Sequence, residues 1–151
     1  MKTLVLGIGN PILSDDGVGI RVAQEVGKKL NDPHITVAET SAAGLSLLDS
    51  IVGYDRVVII DAVQTKKGQV GQIYRMKPED FSFAKHFSSP HQINLVTALE
   101  LGKMLDLDMP QEISIFAVEA KDVSNFSERC TPEVARAIPE VVKMVLEELV
   151  G

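Results

Sequence analysis

Short apolar runs alternate with segments of helical period along the whole chain, and no linker, repeat or low-complexity tract interrupts them. Thr3-Leu4-Val5-Leu6-Gly7-Ile8 and Arg56-Val57-Val58-Ile59-Ile60-Asp61 are β-rich and apolar at successive positions. A strand wetted on one face alternates apolar with polar. An uninterrupted run instead predicts a central strand covered by helices on both sides. Residues 35–38, 71–74 and 113–118 read as further strands, the second polar enough for an edge or a hairpin arm. The sheet therefore has about five strands.

Helices are marked by their starts. After Asp15-Asp16-Gly17, Val18, Val22, Val26 and Leu30 recur at every fourth position and put one apolar stripe against the sheet. Gly44 to Ile51 is a short second helix. Ser89-Pro90-His91-Gln92 has a capping Ser, Pro at the first helical position and Gln at the third, so a helix starts there. Its stripe runs through Leu95, Leu99 and Gly102, which places His91 on the inward face at the N-terminal edge. Thr131-Pro132-Glu133 starts the last helix in the same way, with Val134, Ile138, Val141, Val145 and Leu149 as its buried stripe. The pattern is α/β, a three-layer α/β/α sandwich around a twisted, mostly parallel sheet.

The 151 residues, 45% of them hydrophobic, suffice for one domain spanning 1–151 with a core that needs no disulfide or structural metal. Cys130 is the lone cysteine, which forbids an internal disulfide and any paired-cysteine motif and fits a reducing cytoplasm. With 21 acidic against 15 basic side chains and no basic cluster, the chain offers no footprint for a nucleic-acid backbone. The apolar run after Met1-Lys2 is too short for a secretion signal or a membrane span. A cytoplasmic location, with neither nucleic acid nor membrane as partner, is expected.

Gly7-Ile8-Gly9-Asn10-Pro11-Ile12 lies between a strand and a helix, where a dinucleotide fingerprint would lie. It fits one poorly: Ile12 replaces the third glycine, Pro11 removes an N–H, and Asp15 and Asp16 stand where a pyrophosphate would sit. Asp61 at a strand end and Asp16 in the loop leaving the first strand both belong to the carboxyl edge of a parallel sheet, and a strand-to-helix connection can bring His91 there. Two carboxylates and an imidazole suit a borderline divalent transition metal with open positions. The plainer alternative is that Asp16 caps a helix, Asp61 turns the chain and His91 is a boundary residue. Cys130 has no assignable base, no GxSxG elbow occurs, and His34 and His86 read as structural or solvent-facing.

Residues 4–19, Ala43-Gly44-Leu45, 53–63 and Ser89-Pro90-His91-Gln92 together resemble the hydrogenase maturation endopeptidases, in order and spacing along nearly the whole chain. The block G-x-G-N-x-x-x-x-D-[DE]-G-x-G with S-P-H-Q carries the resemblance. It implies a phosphorylase/hydrolase-like α/β fold and an endopeptidase that removes the C-terminal extension of a NiFe-hydrogenase large-subunit precursor after nickel insertion. It implies Asp16, Asp61 and His91 as the metal-contacting and catalytic set, facing nickel brought by the substrate; cadmium or zinc can stand in for it. Asn10 and Glu39 are expected substrate contacts, and the protein is expected to be a monomer. Many relatives carry Glu at the position of Asp16, and an acid-Gly-Gly turn where this chain has Glu39-Thr40-Ser41-Ala42. The loop 122–130 also departs from the Gly-containing one usual there. A nickel-binding chaperone or sensor that cuts nothing is the alternative, and an enzyme acting on a phosphorylated small molecule ranks below both.

Overall fold

The computed structural model describes residues 1–41, 45–65, 67–83, 87–88 and 90–151, with backbone alone at 45, 81–83, 87–88 and 90–95. Its elements are β1 (Thr3–Ile8), a 3-10 turn (Ser14–Gly17), α1 (Val18–Lys29), β2 (Ile35–Thr40), α2 (Leu45–Ile51) and β3 (Arg56–Thr65), followed by β4 (Ile73–Met76), α3 (Pro78–Phe83), β5 (Phe87–Ser88), α4 (Pro90–Met104), β6 (Glu112–Glu119) and α5 (Pro132–Val150). Five strands run in the order β2-β1-β3-β6-β4, and β5 pairs with β3. All neighbours among the first four are parallel, and β4 is the antiparallel edge.

The two apolar faces of the central strands explain the layering. Val5, Val58, Ile60, Ala62, Phe116 and Val118 pack with Val18, Val22 and Val26 of α1 and Val134, Val141 and Val145 of α5. The intervening residues Leu4, Leu6, Ile8, Val57, Ile59 and Ile115 pack with Leu47, Leu48 and Ile51 of α2 and Ala98 of α4. A three-layer α/β/α sandwich results, with α1 and α5 on one side and α2 and α4 on the other. Burying each of these Val, Leu and Ile side chains contributes about 1.5–3 kcal/mol before chain entropy is counted. Arg56 ties the start of β3 to the end of α5, donating to the Glu148 and Leu149 carbonyls at 3.3 and 3.1 Å, where a cation also opposes the helix dipole.

Several sequence expectations shift. β3 does not end at Asp61; β6 continues to pair with it through Val63↔Glu119, and β5 pairs with Gln64 and Thr65. The edge strand begins at Ile73 because Gly71, at φ +87°, turns the chain beside the Glu133 carbonyl. Leu30 is extended and ends α1, yet it still packs against the core that Val18, Val22 and Val26 face. The 3-10 turn, α3 and β5 are too short to show a period. Gly44 and the capping Ser89 lie outside the described residues, as does His86. Among the described residues, no helix is long and apolar enough to cross a membrane.

Candidate active site

The glycines of the first loop serve backbone packing. Gly9, at φ +147°, is so close to the 3-10 turn that a Cβ there would lie 1.9 Å from the Asp16 carbonyl oxygen. A Cβ on Gly19 would lie 2.2 Å from the Ile60 carbonyl oxygen and 2.7 Å from that of Ile8. The start of α1 is therefore pressed onto the carboxyl ends of β1 and β3, and the 3-10 turn packs against β3. A loop folded down this tightly explains the G-x-G motif with no phosphate to cradle.

Asp61 stands where the pairing between β1 and β3 ends. β1 pairs with β3 only as far as Gly7↔Ile60, so Asp61 is the first β3 residue beyond it, still paired to Ala117 on the other side. Strand alternation sends its side chain to the α2 and α4 face with Ile59 and Val63. It is 5% exposed, and its Oδ1 accepts the Ala62 N–H at 2.8 Å. Asp16, partly buried, accepts the Asn10 N–H on Oδ2 at 2.9 Å and donates its own N–H to the Leu13 carbonyl at 3.1 Å. The structure thus brings both carboxylates to the carboxyl edge of the sheet, each held by a backbone N–H.

The antiparallel register of β5 bears on His91. Gln64 pairs with Ser88 and Thr65 with Phe87. Asp61 stands three residues before Gln64 and His91 three after Ser88, so the chain entering α4 runs back toward the level of Asp61. The buried carboxylate of Glu119 fixes this extension of β3. It accepts the Thr65 N–H at 2.8 Å, the Thr65 hydroxyl at 2.6 Å and the Tyr74 hydroxyl at 2.9 Å. Burial first, and the Glu119 charge after it, raise the Tyr74 phenol above its ordinary pKa, although a hydrogen bond with Thr65 pulls the other way. The His91 backbone lies in α4; its side chain is outside the described residues.

The two expected substrate contacts differ in placement. Asn10 uses Oδ1 to accept the Ile12 N–H at 3.1 Å, an Asx turn that shapes the loop around Asp16. Glu39 is paired with Gly7 and so stands on the α1 face, where it accepts from Gln24 at 3.1 Å. Its neighbour Thr40 is paired with Ile8 and shares the face of Asp61. The register that puts Thr40 on that face, across β1 from Asp61, is not written in the local pattern.

Asp15, next to Asp16, faces away from this edge. It is 0% exposed and accepts four hydrogen bonds, from the Thr131 N–H at 2.6 Å, the Thr131 hydroxyl at 2.8 Å, the Lys121 N–H at 2.9 Å and the Asp122 N–H at 3.1 Å. Thr131 stands at the N-cap of α5 with Pro132 next to it, as expected, but neither Asp16 nor Thr131 makes a side-chain capping bond. Gly17 occupies the N-cap of α1, and the Thr131 side chain donates to Asp15 instead of accepting from the first turn of α5. Cys130 lies beside this latch, its Sγ 3.9 Å from the Ser14 carbonyl oxygen. Burial, and secondarily the Asp15 charge, push its thiol up to about 11, with Arg21 opposing.

Among the described residues, no three His, Cys, Asp or Glu side chains form a group that could hold a metal ion.

Comparison with known proteins agrees with this architecture. The family model HycI, hydrogenase maturation protease, matches residues 20–148, a stretch that holds Asp61 and His91 and begins after Asp16. The hydrogenase 2 maturation protease of Escherichia coli is 26% identical over 151 residues, covering 99% of this chain and 91% of its own. The solved hydrogenase maturating endopeptidase HybD from E. coli superposes with a TM-score of 0.86 at 25% identity, over 99% of this chain and 92% of that one. The NiFe-hydrogenase maturation protease HybD from Thermococcus kodakarensis shares the fold, with a TM-score of 0.76 at 23% identity and full coverage of both chains.

Proposed function

The chain belongs to the hydrogenase maturation protease family, and from that premise we propose that it removes the C-terminal extension of a NiFe-hydrogenase large-subunit precursor after nickel insertion. The observation that carries the reading is the placement of Asp16 and Asp61 at one edge, where the pairing of β1 with β3 ends one residue before Asp61. The nickel is substrate here, seated in the precursor, and Asp16, Asp61 and His91 are the residues that engage it. Two carboxylates and an imidazole match a borderline divalent ion.

Engaging an ion already held by the precursor turns recognition into proximity, because the scissile peptide arrives tethered beside the carboxylates. The bound ion supplies Lewis-acid polarisation. Asp16 or Asp61 takes a proton from the attacking water, and the backbone N–H held by each fixes the direction in which its carboxylate faces. Asn10, on the Asp16 loop, contacts the peptide beside the pair, and Glu39 contacts the precursor from the α1 face of the sheet. The test is incubation with nickel-loaded and nickel-free precursor, read by intact mass. Shortening of the loaded form alone is expected. Equal cutting of both removes the nickel checkpoint, and a stable complex without shortening makes the protein a chaperone.

A further inference from the structure

The loop that carries Asp16 is bonded to the loop 122–130 along its length. Leu13 and Ser127 form a parallel bridge, the Ser127 N–H donates to the Ile12 carbonyl at 2.9 Å, and the Ser14 N–H donates to the Ser127 carbonyl at 2.9 Å. Arg21 clamps both loops by donating to the Pro11 and Glu128 carbonyls. Asp122 folds the second loop on itself by accepting from the Ser124 and Asn125 N–H groups, and Asp15 pins its two ends. Ile12 and Phe126 directly precede the two bridged residues, and the Ile12 carbonyl accepts the Ser127 N–H, so both stand at the junction of the two loops. Ile12 is 47% and Phe126 83% exposed.

Other exposed large apolar side chains among the described residues sit elsewhere. Met1 and Val150 are at the chain ends, and Met104 ends α4 with Leu105 and Leu107 after it, near the amino edge of the sheet, where the Gly53 N–H meets the Asp108 carbonyl. Ile12 and Phe126 alone combine exposure with a backbone fixed by many hydrogen bonds beside the candidate site. A preformed apolar surface loses little ordering entropy on binding, and exposed aromatics in such settings are typical binding anchors.

We propose that Ile12 and Phe126 form a subsite that seats an apolar side chain of the large-subunit precursor next to its scissile segment. The inference rests on the protease reading above. The precursor is the fitting occupant because Ile12 is on the Asp16 loop, so whatever covers it lies within one loop's length of the carboxylates. A second copy seated there would obstruct the edge that the peptide must reach.

The experiment measures cleavage of nickel-loaded precursor by the unmodified protein, by Ile12→Ser/Phe126→Ser, by Phe126→Leu and by Met104→Ser, with thermal midpoints and sedimentation of each. The double variant is expected to raise KM at least tenfold with kcat within twofold. Phe126→Leu should keep most of the binding, and Met104→Ser should match the unmodified protein. An unchanged KM in a folded double variant overturns the subsite. So does an unmodified dimer that the double variant dissociates, which would assign the patch to a second copy. If the unmodified protein leaves nickel-loaded precursor at full length, the protease reading itself fails and the subsite falls with it. Should the double variant not fold, Phe126→Ser alone carries the same comparison.

Discussion

Asp15 and Asp16 are neighbours with the same chemical group, and the fold uses them in opposite ways. Asp15 is sealed from water and saturated by donors from three residues near the other end of the chain, whereas Asp16 stays partly exposed and takes the N–H of Asn10 from its own loop. A buried carboxylate with four donors can do little beyond holding them together, since its lone pairs are committed and no substrate can reach it. The carboxylate beside it keeps part of its surface open to solvent. The latch also serves the site: by pinning 121–122 and Thr131 to the first loop it fixes the turn from which Asp16 projects.

The largest effects should separate the two residues by kind. Asp16→Ala and Asp61→Ala are expected to lower precursor cleavage by about a thousandfold, roughly 4 kcal/mol of barrier, while leaving the circular dichroism spectrum unchanged and the thermal midpoint within a few degrees. A variant at either position that keeps full activity would remove it from the site. Asp15→Ala should do the reverse in thermodynamic terms. Stripping the acceptor from buried donors costs about 3 kcal/mol, which for a chain of this size lowers the midpoint by about 9 °C. If Asp15→Ala melts like the unmodified protein, the latch is not what holds the loop.

A smaller effect tests the latch from its other side. Thr131→Val deletes the hydroxyl that donates to Asp15 but keeps the backbone donor and the side-chain shape. One hydrogen bond to a charged acceptor contributes about 1.5 kcal/mol, so a midpoint drop of about 4 °C is expected. Combined with Asp15→Ala, the two losses should fall well short of additive, because the hydroxyl's partner is already gone. Additive losses would mean that Thr131 acts as an ordinary helix cap, which was the sequence expectation.

The contrast also marks what the chain reveals before folding. The runs 3–8, 56–60 and 113–118 were legible as interior strands because both of their faces are apolar, a property of each residue in place. The carboxylates were legible as belonging to one edge because parallel topology dictates it. Which of Asp15 and Asp16 would be sealed was not legible, since Thr131 is 116 positions away from Asp15 and nothing local records the pairing. Asp61 read as a strand end because an acid follows four apolar residues; only the pairing with β1 ends there, while β6 and β5 carry β3 onward to Thr65. Thr40 was invisible for the same reason, because its face depends on register with Ile8.

The smallest expected effect lies in Cys130, which reports on the latch electrostatically. Burial and the nearby Asp15 charge both penalise the thiolate, so the folded thiol titrates near 11 while the unfolded one titrates lower, in the ordinary thiol range. A raised folded pKa means that the unfolded chain gives up its proton first as the solution turns alkaline. The thiol's contribution to stability is thus complete below the unfolded value and is lost as pH climbs from there through about 11. Cys130→Ser should flatten that alkaline decline in urea midpoints. Asp15→Asn removes the charge but not the burial, and should quicken alkylation of Cys130 at a fixed mildly alkaline pH by a few-fold. The thermal midpoint serves as a check that the latch has not simply opened. Unchanged alkylation in a folded Asp15→Asn variant would leave burial as the whole cause and show that the sealed carboxylate acts on its surroundings only through its hydrogen bonds.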